Sequence, residues 1–272
     1  MTRCLFVRHG VALHNCPQAD GRRANVSDPR YTDSPLVRGG QQQAIRLGDS
    51  MRRRGILPKI SDGMDIDSAD ASGENFEIDL VVCSPLTRCI QTAKCLVPTF
   101  FEADSNRKTG GESGSTDESM YASDGTPCVL LEKECRLFCH HDLREAFGMH
   151  YSDKRGPLSR LKECFPRITF HPSITEDDTD WRPDRREDID DVARRVNSFL
   201  QWLVMQPHEN VLIVTHGVWM EVCFRLLCPE AIDFGRKRVY NCDVYTGILA
   251  ESSDGKVVLQ GVEQLTFEGQ AP

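Results

Sequence analysis

Short, wholly apolar runs alternate along the chain with longer segments whose apolar residues recur every three or four positions. Near the start, Leu5, Phe6 and Val7 form a run that stops at Arg8-His9-Gly10, the pattern of a buried strand entering a loop. A second run over 78–83 ends at Ser84-Pro85, a third is predicted over 129–131, and 210–215 (NVLIVT) ends at His216-Gly217. Helical spacing fills the intervals. It covers 36–54, where Ala44, Leu47 and Met51 share a stripe and Gly55 closes the segment, and in this reading Gln43 is a packing residue like Ala44. A second helix carries Ile90, Ala93 and Leu96, with Pro85 expected in its first turn, where a missing N–H costs nothing. The span 186–205 is the clearest helix, with Val192, Val196, Phe199 and Leu203 on one face, and Val218, Val222, Leu226 and Leu227 mark another. Segments 239–250 and 256–262 read as closing strands.

Strands that are apolar on both faces need cover on both faces. The alternation therefore predicts an α/β three-layer sandwich with a mostly parallel central sheet. In such sheets ligands gather beyond the carboxyl ends of the strands, so Arg8-His9-Gly10, residues 84–88 and His216-Gly217 are expected to converge on one pocket. With no repeat and no linker, residues 1–272 read as one domain carrying two flexible polar insertions, 61–75 and 104–126.

Composition narrows the partners. Against 33 Lys and Arg stand 41 Asp and Glu, a net charge of −8, which argues against nucleic acid or an anionic membrane surface as partner. No apolar run approaches the roughly 18–20 residues of a membrane helix. The opening MTRCLFVRH has no secretory pattern, so a cytoplasmic or nuclear location and reduced thiols are expected for the 12 cysteines. Cys135, Cys139, His140 and His141 lack the paired spacing of a metal site, so neither metal nor cofactor is expected.

The ordered set Arg8-His9-Gly10, Asn15, DSPLVRGGQQQA at 33–44, SPLTRCIQTA at 84–93, Leu143-Arg144-Glu145 and Val214-Thr215-His216-Gly217 resembles the histidine phosphatase superfamily in its phosphoglycerate-mutase-like branch. The resemblance covers most of the chain outside the insertions. It implies that His9 is the nucleophile, that Arg8 and Arg88 grip phosphate, that His216 is the second pocket histidine, that Glu145 is the general acid, and that Asn15 is a further phosphate donor. Gly10 and Gly217 line the same substrate-binding loops.

The chemistry of these side chains agrees with that implication. Arginine offers a planar, permanently charged fork to phosphate oxygens, and two arginines with an imidazolium would stabilise charge on the equatorial oxygens. A nucleophilic His9 needs its other ring nitrogen held by an acceptor, and an acid at Glu145 needs a raised pKa. The segment after Glu145, with Gly148-Met149-His150 and Asp153-Lys154-Arg155, resembles a fungal and plant subgroup of the branch and lacks the Gly-Leu-Asn-Lys segment of the enzymes that interconvert phosphoglycerates. Those four residues, His150, Asp153, Lys154 and Arg155, are either substrate contacts or a solvated charge cluster. The expected activity is metal-independent hydrolysis of a small phosphorylated metabolite through phosphohistidine. A mutase-type phosphotransferase and a non-catalytic phosphate-binding module are the alternatives. His14, His140, His141, His171 and His208 carry no functional expectation.

Overall fold

The computed structural model describes residues 1–58, 77–102, 130–228, 238–252 and 255–267. Both expected insertions, 61–75 and 104–126, lie outside the described residues. The elements run β1 (Thr2–Arg8), α1 (Arg38–Arg53), β2 (Leu80–Cys83), α2 (Thr87–Leu96), a single turn α3 (Pro98–Phe101), β3 (Leu137–Cys139), α4 (Leu158–Cys164), β4 (Thr169–Phe170), α5 (Ile189–Val204), β5 (Asn210–Thr215), α6 (Gly217–Leu227), β6 (Val244–Glu251) and β7 (Val257–Leu265). They build one seven-stranded sheet in the order β4-β3-β2-β5-β1-β6-β7. The pairs from β4 through β1 are parallel, and β6 runs antiparallel to both neighbours.

Strand pleating explains the apolar runs. Successive side chains point to opposite faces, so Cys4 and Phe6 of β1 and Val211 and Ile213 of β5 meet α5 and α6, while Leu5, Val7, Leu212 and Val214 meet α1 and α2. The stripes expected from helical spacing are the buried ones: Ala44, Leu47 and Met51 on one side, Val192, Val196, Phe199 and Leu203 on the other. Helix α5 begins with a reciprocal cap between Asp188 and Asp191, which satisfies two amides the helix would otherwise leave open.

Three local expectations differ from the fold. The third strand is Leu137–Cys139, while of the expected 129–131 residue 129 lies outside the described residues and the other two are in no strand: Leu131 donates its amide to Gln206 Oε1 and Leu130 is exposed, whereas Leu137 and Cys139 bury on one face and Phe138 on the other. A three-residue apolar run cannot by itself distinguish the two. Pro85 precedes α2 rather than entering its first turn, because Leu86 is the extended cap residue. Short elements α4 and β4 lie in the segment after Glu145, where no regular spacing announced them.

Candidate active site

β5 lies between β2 and β1 in the sheet although it follows both in sequence, so three carboxyl ends adjoin. His9 follows β1, Ser84 follows β2 and His216 follows β5. The backbone ties them together: the His9 amide donates to the Thr215 carbonyl at 3.0 Å, and the Ser84 amide to the Val214 carbonyl at 3.0 Å. Arg88 reaches the same place from the first turn of α2. That helix has no cap residue of its own, and Asp33, more than fifty positions away, accepts from the Thr87 amide at 2.8 Å and its hydroxyl at 2.7 Å.

His9, Arg88 and His216 are at most 1% exposed. His9 Nδ1 lies 2.8 Å from the Gly10 carbonyl oxygen, an acceptor, so Nδ1 carries the proton. Arg88 Nε donates to His9 Nε2 at 3.2 Å, and a guanidinium N–H can only donate, so Nε2 holds the lone pair. In the same way Arg88 Nη2 donates to His216 Nδ1 at 3.2 Å, while His216 Nε2 donates to Ser84 Oγ at 2.8 Å. Both rings are neutral. Burial first, and then Arg88, hold each well below the usual histidine range. This corrects the expected imidazolium, since His216 here is a neutral acceptor that orients Arg88.

Arg8 lies beside them, with Nη1 on the Val239 carbonyl at 2.5 Å and a buried Nε that has no hydrogen-bond partner among the described residues. A buried charged donor left open is costly and marks a place for an anion. A side chain at Gly217 would come within 3.3 Å of that Nε, so this glycine keeps the approach to Arg8 clear. Glu145 accepts from the Ala146 amide at 3.0 Å and the Val218 amide, in the first turn of α6, at 3.5 Å. Burial and then the Asp153 charge raise its carboxyl above the ordinary range, against the pull of Arg88 and Arg8.

Asn15 is not brought into this group. Its side chain is exposed and its Oδ1 accepts from the Ala12 amide at 3.0 Å, closing a turn. Gly10 has a packing reason to lack a side chain, since a Cβ there would meet the Gly40 carbonyl oxygen at 2.7 Å.

His14 and Gln43 have no site role in the sequence alone, and the choice left open over 150–155 is narrowed by burial. His14, partly buried, sits 6.0 Å from His9 between ring centroids, with an Nδ1 that has no partner among the described residues and a pKa lowered to about 3 by burial and by Arg88. Gln43 does more than pack α1: it accepts from the Val11 amide at 3.2 Å and donates to the Asn241 carbonyl at 3.0 Å. Asn241 in turn donates to the His9 carbonyl at 2.8 Å. The segment 150–155 is not a solvated cluster, for Asp153 and Arg155 are buried and Asp153 pairs with Arg88 at 2.9 Å. Arg155 binds the Thr175 and Gly156 carbonyls, and Lys154 lies over the Trp181 ring at 4.8 Å.

Among the described residues no group of three or more His, Cys, Asp or Glu is arranged to hold a metal ion. His140 packs between His171 and Trp202, each 4.6 Å away between ring centroids, and the Cys139 sulfur lies 3.4 Å from that of Cys83. No helix among the described residues is long and apolar enough to cross a membrane.

The sequence profile of the histidine phosphatase superfamily (branch 1) matches residues 134–261, which contain Glu145 and His216. Two Arabidopsis thaliana proteins match nearly the whole chain at 26% identity. A phosphoglycerate mutase-like protein aligns over 98% of this chain and 90% of its own length, and phosphoglycerate mutase-like protein 1 over 91% and 81%. Among solved structures, a mycobacterial glucosyl-3-phosphoglycerate phosphatase superposes over the full length of both chains with a TM-score of 0.48 at 15% identity.

Proposed function

We propose that the chain is a member of the histidine phosphatase superfamily, whose profile matches residues 134–261, in its phosphoglycerate-mutase-like branch, and that it is a metal-independent phosphatase that hydrolyses a small phosphomonoester through a phosphohistidine at His9. The observation that carries this reading is the paired tautomer of His9. Its Nδ1 proton is held by the Gly10 carbonyl, and its Nε2 lone pair faces Arg88 in a pocket that also contains the open Nε of Arg8.

In the first step the Nε2 lone pair attacks phosphorus and the bond to the substrate oxygen breaks, that oxygen taking a proton from Glu145. In the second, water attacks the phosphohistidine, gives its proton to the Glu145 carboxylate, and the phosphorus–nitrogen bond breaks to restore His9. Charge on the equatorial oxygens is met by Arg8 and Arg88, fixed donors that need little reorganisation. The raised Glu145 pKa favours a carboxyl that holds a proton long enough to donate it and can take one back. The names of the relatives favour a second reading, in which the phosphoryl group returns to a bound acceptor alcohol.

Release of phosphate from a panel of phosphorylated metabolites, with chelator present, tests the activity. Acid-quenched trapping of labelled phosphate tests the residue. Label on His9 in the parent and none in His9→Ala supports the reading, whereas label elsewhere overturns it. Label that leaves on an added alcohol rather than on water would select the transferase.

A further inference from the structure

A pocket that handles a phosphate dianion gains nothing in affinity from a carboxylate, yet Asp153, only 4% exposed, stands in this one. Its oxygens are divided between two guanidinium groups, Oδ1 at 2.9 Å from Arg88 Nη2 and Oδ2 at 3.1 Å from Arg186 Nη1. The adjoining Ser152 carbonyl accepts from Arg88 Nη1 at 2.6 Å. Ser152 and Asp153 thus hold one edge of the Arg88 fork, and its Nε and Nη2 face His9 and His216.

The surrounding segment is anchored without that carboxylate. Arg144 makes a bidentate pair with Asp178 at 2.8 and 2.6 Å and donates to the Asp153 backbone carbonyl at 3.0 Å. What the Asp153 side chain adds is charge and direction at Arg88. An arginine already paired with a carboxylate is a poorer receptor for a ground-state anion, and the nearby negative charge repels phosphate. Such an arrangement benefits catalysis when the held guanidinium fits the transition state better than the bound ester.

We propose that Asp153 is a positioning residue acting through Arg88, orienting its guanidinium toward the transferring phosphoryl group at the expense of ground-state phosphate affinity. This rests on reading the pocket as a site of phosphoryl transfer. It gives Asp153 a role exerted through Arg88, where the sequence alone leaves a choice between a substrate contact and a solvated charge cluster.

The test is Asp153→Asn, measured with p-nitrophenyl phosphate as substrate and inorganic phosphate as inhibitor. An amide offers one acceptor oxygen and turns an NH2 group toward the other arginine, so it cannot serve both. The expected kcat falls about 10- to 100-fold, a fraction of what loss of a whole oxyanion donor costs. Inhibition by phosphate becomes roughly 3- to 10-fold tighter as a like charge is removed. Asp178→Asn breaks an equally buried pair in the same segment and is the structural comparison. It should lower Tm while leaving phosphate inhibition within about twofold, because its site does not touch Arg88.

If Asp153→Asn does not fold, Arg186→Gln decides, at a side chain 27% exposed. With Arg88 then its only guanidinium partner among the described residues, Asp153 should weaken phosphate inhibition by roughly threefold or more while kcat is retained. The proposal is overturned if Asp153→Asn loses kcat and phosphate binding in parallel, or if Arg186→Gln does so. A parent that does not bind inorganic phosphate, or binds it equally well as Arg88→Ala, overturns instead the phosphoryl-transfer reading on which the proposal rests.

Discussion

The Nε atom of Arg88 lies 3.2 Å from Nε2 of His9, its N–H donating into the imidazole lone pair. The nitrogen proposed to attack phosphorus and the cation proposed to stabilise the transferred group therefore border one space. A phosphoryl group in reach of one is in reach of the other. Removing either should affect catalysis more than binding.

Arg88→Ala is expected to cost about 10² to 10³ in kcat/KM, comparable with loss of one preorganised oxyanion donor. Because Arg88 is 1% exposed and paired with buried Asp153, stability should fall too, by about 3–5 kcal/mol for a broken buried pair. Arg88→Lys restores charge without the fork and should rescue little, since one ammonium cannot serve His9, Ser152, Asp153 and His216 together. Steady-state kinetics with thermal unfolding on the same preparations checks both statements. A lysine variant as active as the parent would remove Arg88 from the mechanism.

Glu145→Gln separates leaving-group chemistry from location. An alkyl alkoxide depends on a proton for about 10² to 10⁴ in rate, whereas nitrophenolate departs without one. The variant should nearly abolish hydrolysis of an alkyl phosphate but retain a first-turnover burst of nitrophenol from p-nitrophenyl phosphate. In the parent, the raised Glu145 pKa predicts that activity on an alkyl ester declines as pH rises through that value, and the same limb should be absent from the nitrophenol burst. A burst that collapses as steeply as alkyl turnover would assign the acid role to another group.

The residues legible in the sequence are those at strand ends. His9, Ser84 and His216 stand where apolar runs stop, and the rule that parallel sheets bind ligands at their carboxyl ends needs no knowledge of packing. Arg88 was legible because it sits one residue into a helix that begins there. The supporting contacts carry no local mark. Asp33 caps α2 from a distant loop, Gln43 and Asn241 meet across nearly 200 positions, and Asp153 joins a helix formed more than 60 positions earlier. Each is a polar residue in a polar stretch, and only tertiary contact distinguishes it from a solvated neighbour. Asn15 shows the converse, a motif position whose side chain closes its own turn.

Buried neutral histidines should make the protein acid-labile. His171 is lowered to about 4 by burial, and His140 lies well below its usual range for the same reason, with His171 and His141 adding to it. A histidine whose folded pKa is depressed supports the fold above the unfolded value near 6.5, and that support is lost as pH falls toward the folded value. Urea midpoints should therefore drop between pH 6.5 and 4, on the order of 1–2 kcal/mol per buried ring at pH 5. His171→Asn should flatten part of that slope. An unchanged slope would mean that the ring charges without cost.

The last prediction concerns two adjacent glycines in the first turn of α1. A Cβ on Gly40 would lie 1.9 Å from the Val11 carbonyl oxygen and 2.8 Å from the Val11 nitrogen, both backbone atoms that no rotamer change can move away. A Cβ on Gly39 would meet nothing within 4 Å. Gly39→Ala should therefore stabilise the helix by about 0.5–1 kcal/mol and leave turnover unchanged. Gly40→Ala must push the chain carrying Gly10 and Val11 away from α1. That movement also disturbs the bond that the Val11 amide donates to Gln43 and the hold of Asn241 on the His9 carbonyl. A displacement near 1 Å at a nucleophile costs on the order of 10² in rate, so kcat should fall by about that factor along with Tm. Kinetics and melting of the two variants side by side give the answer. If Gly40→Ala melts lower but turns over at the parental rate, the contact of α1 with this loop supports the fold and not the placement of His9.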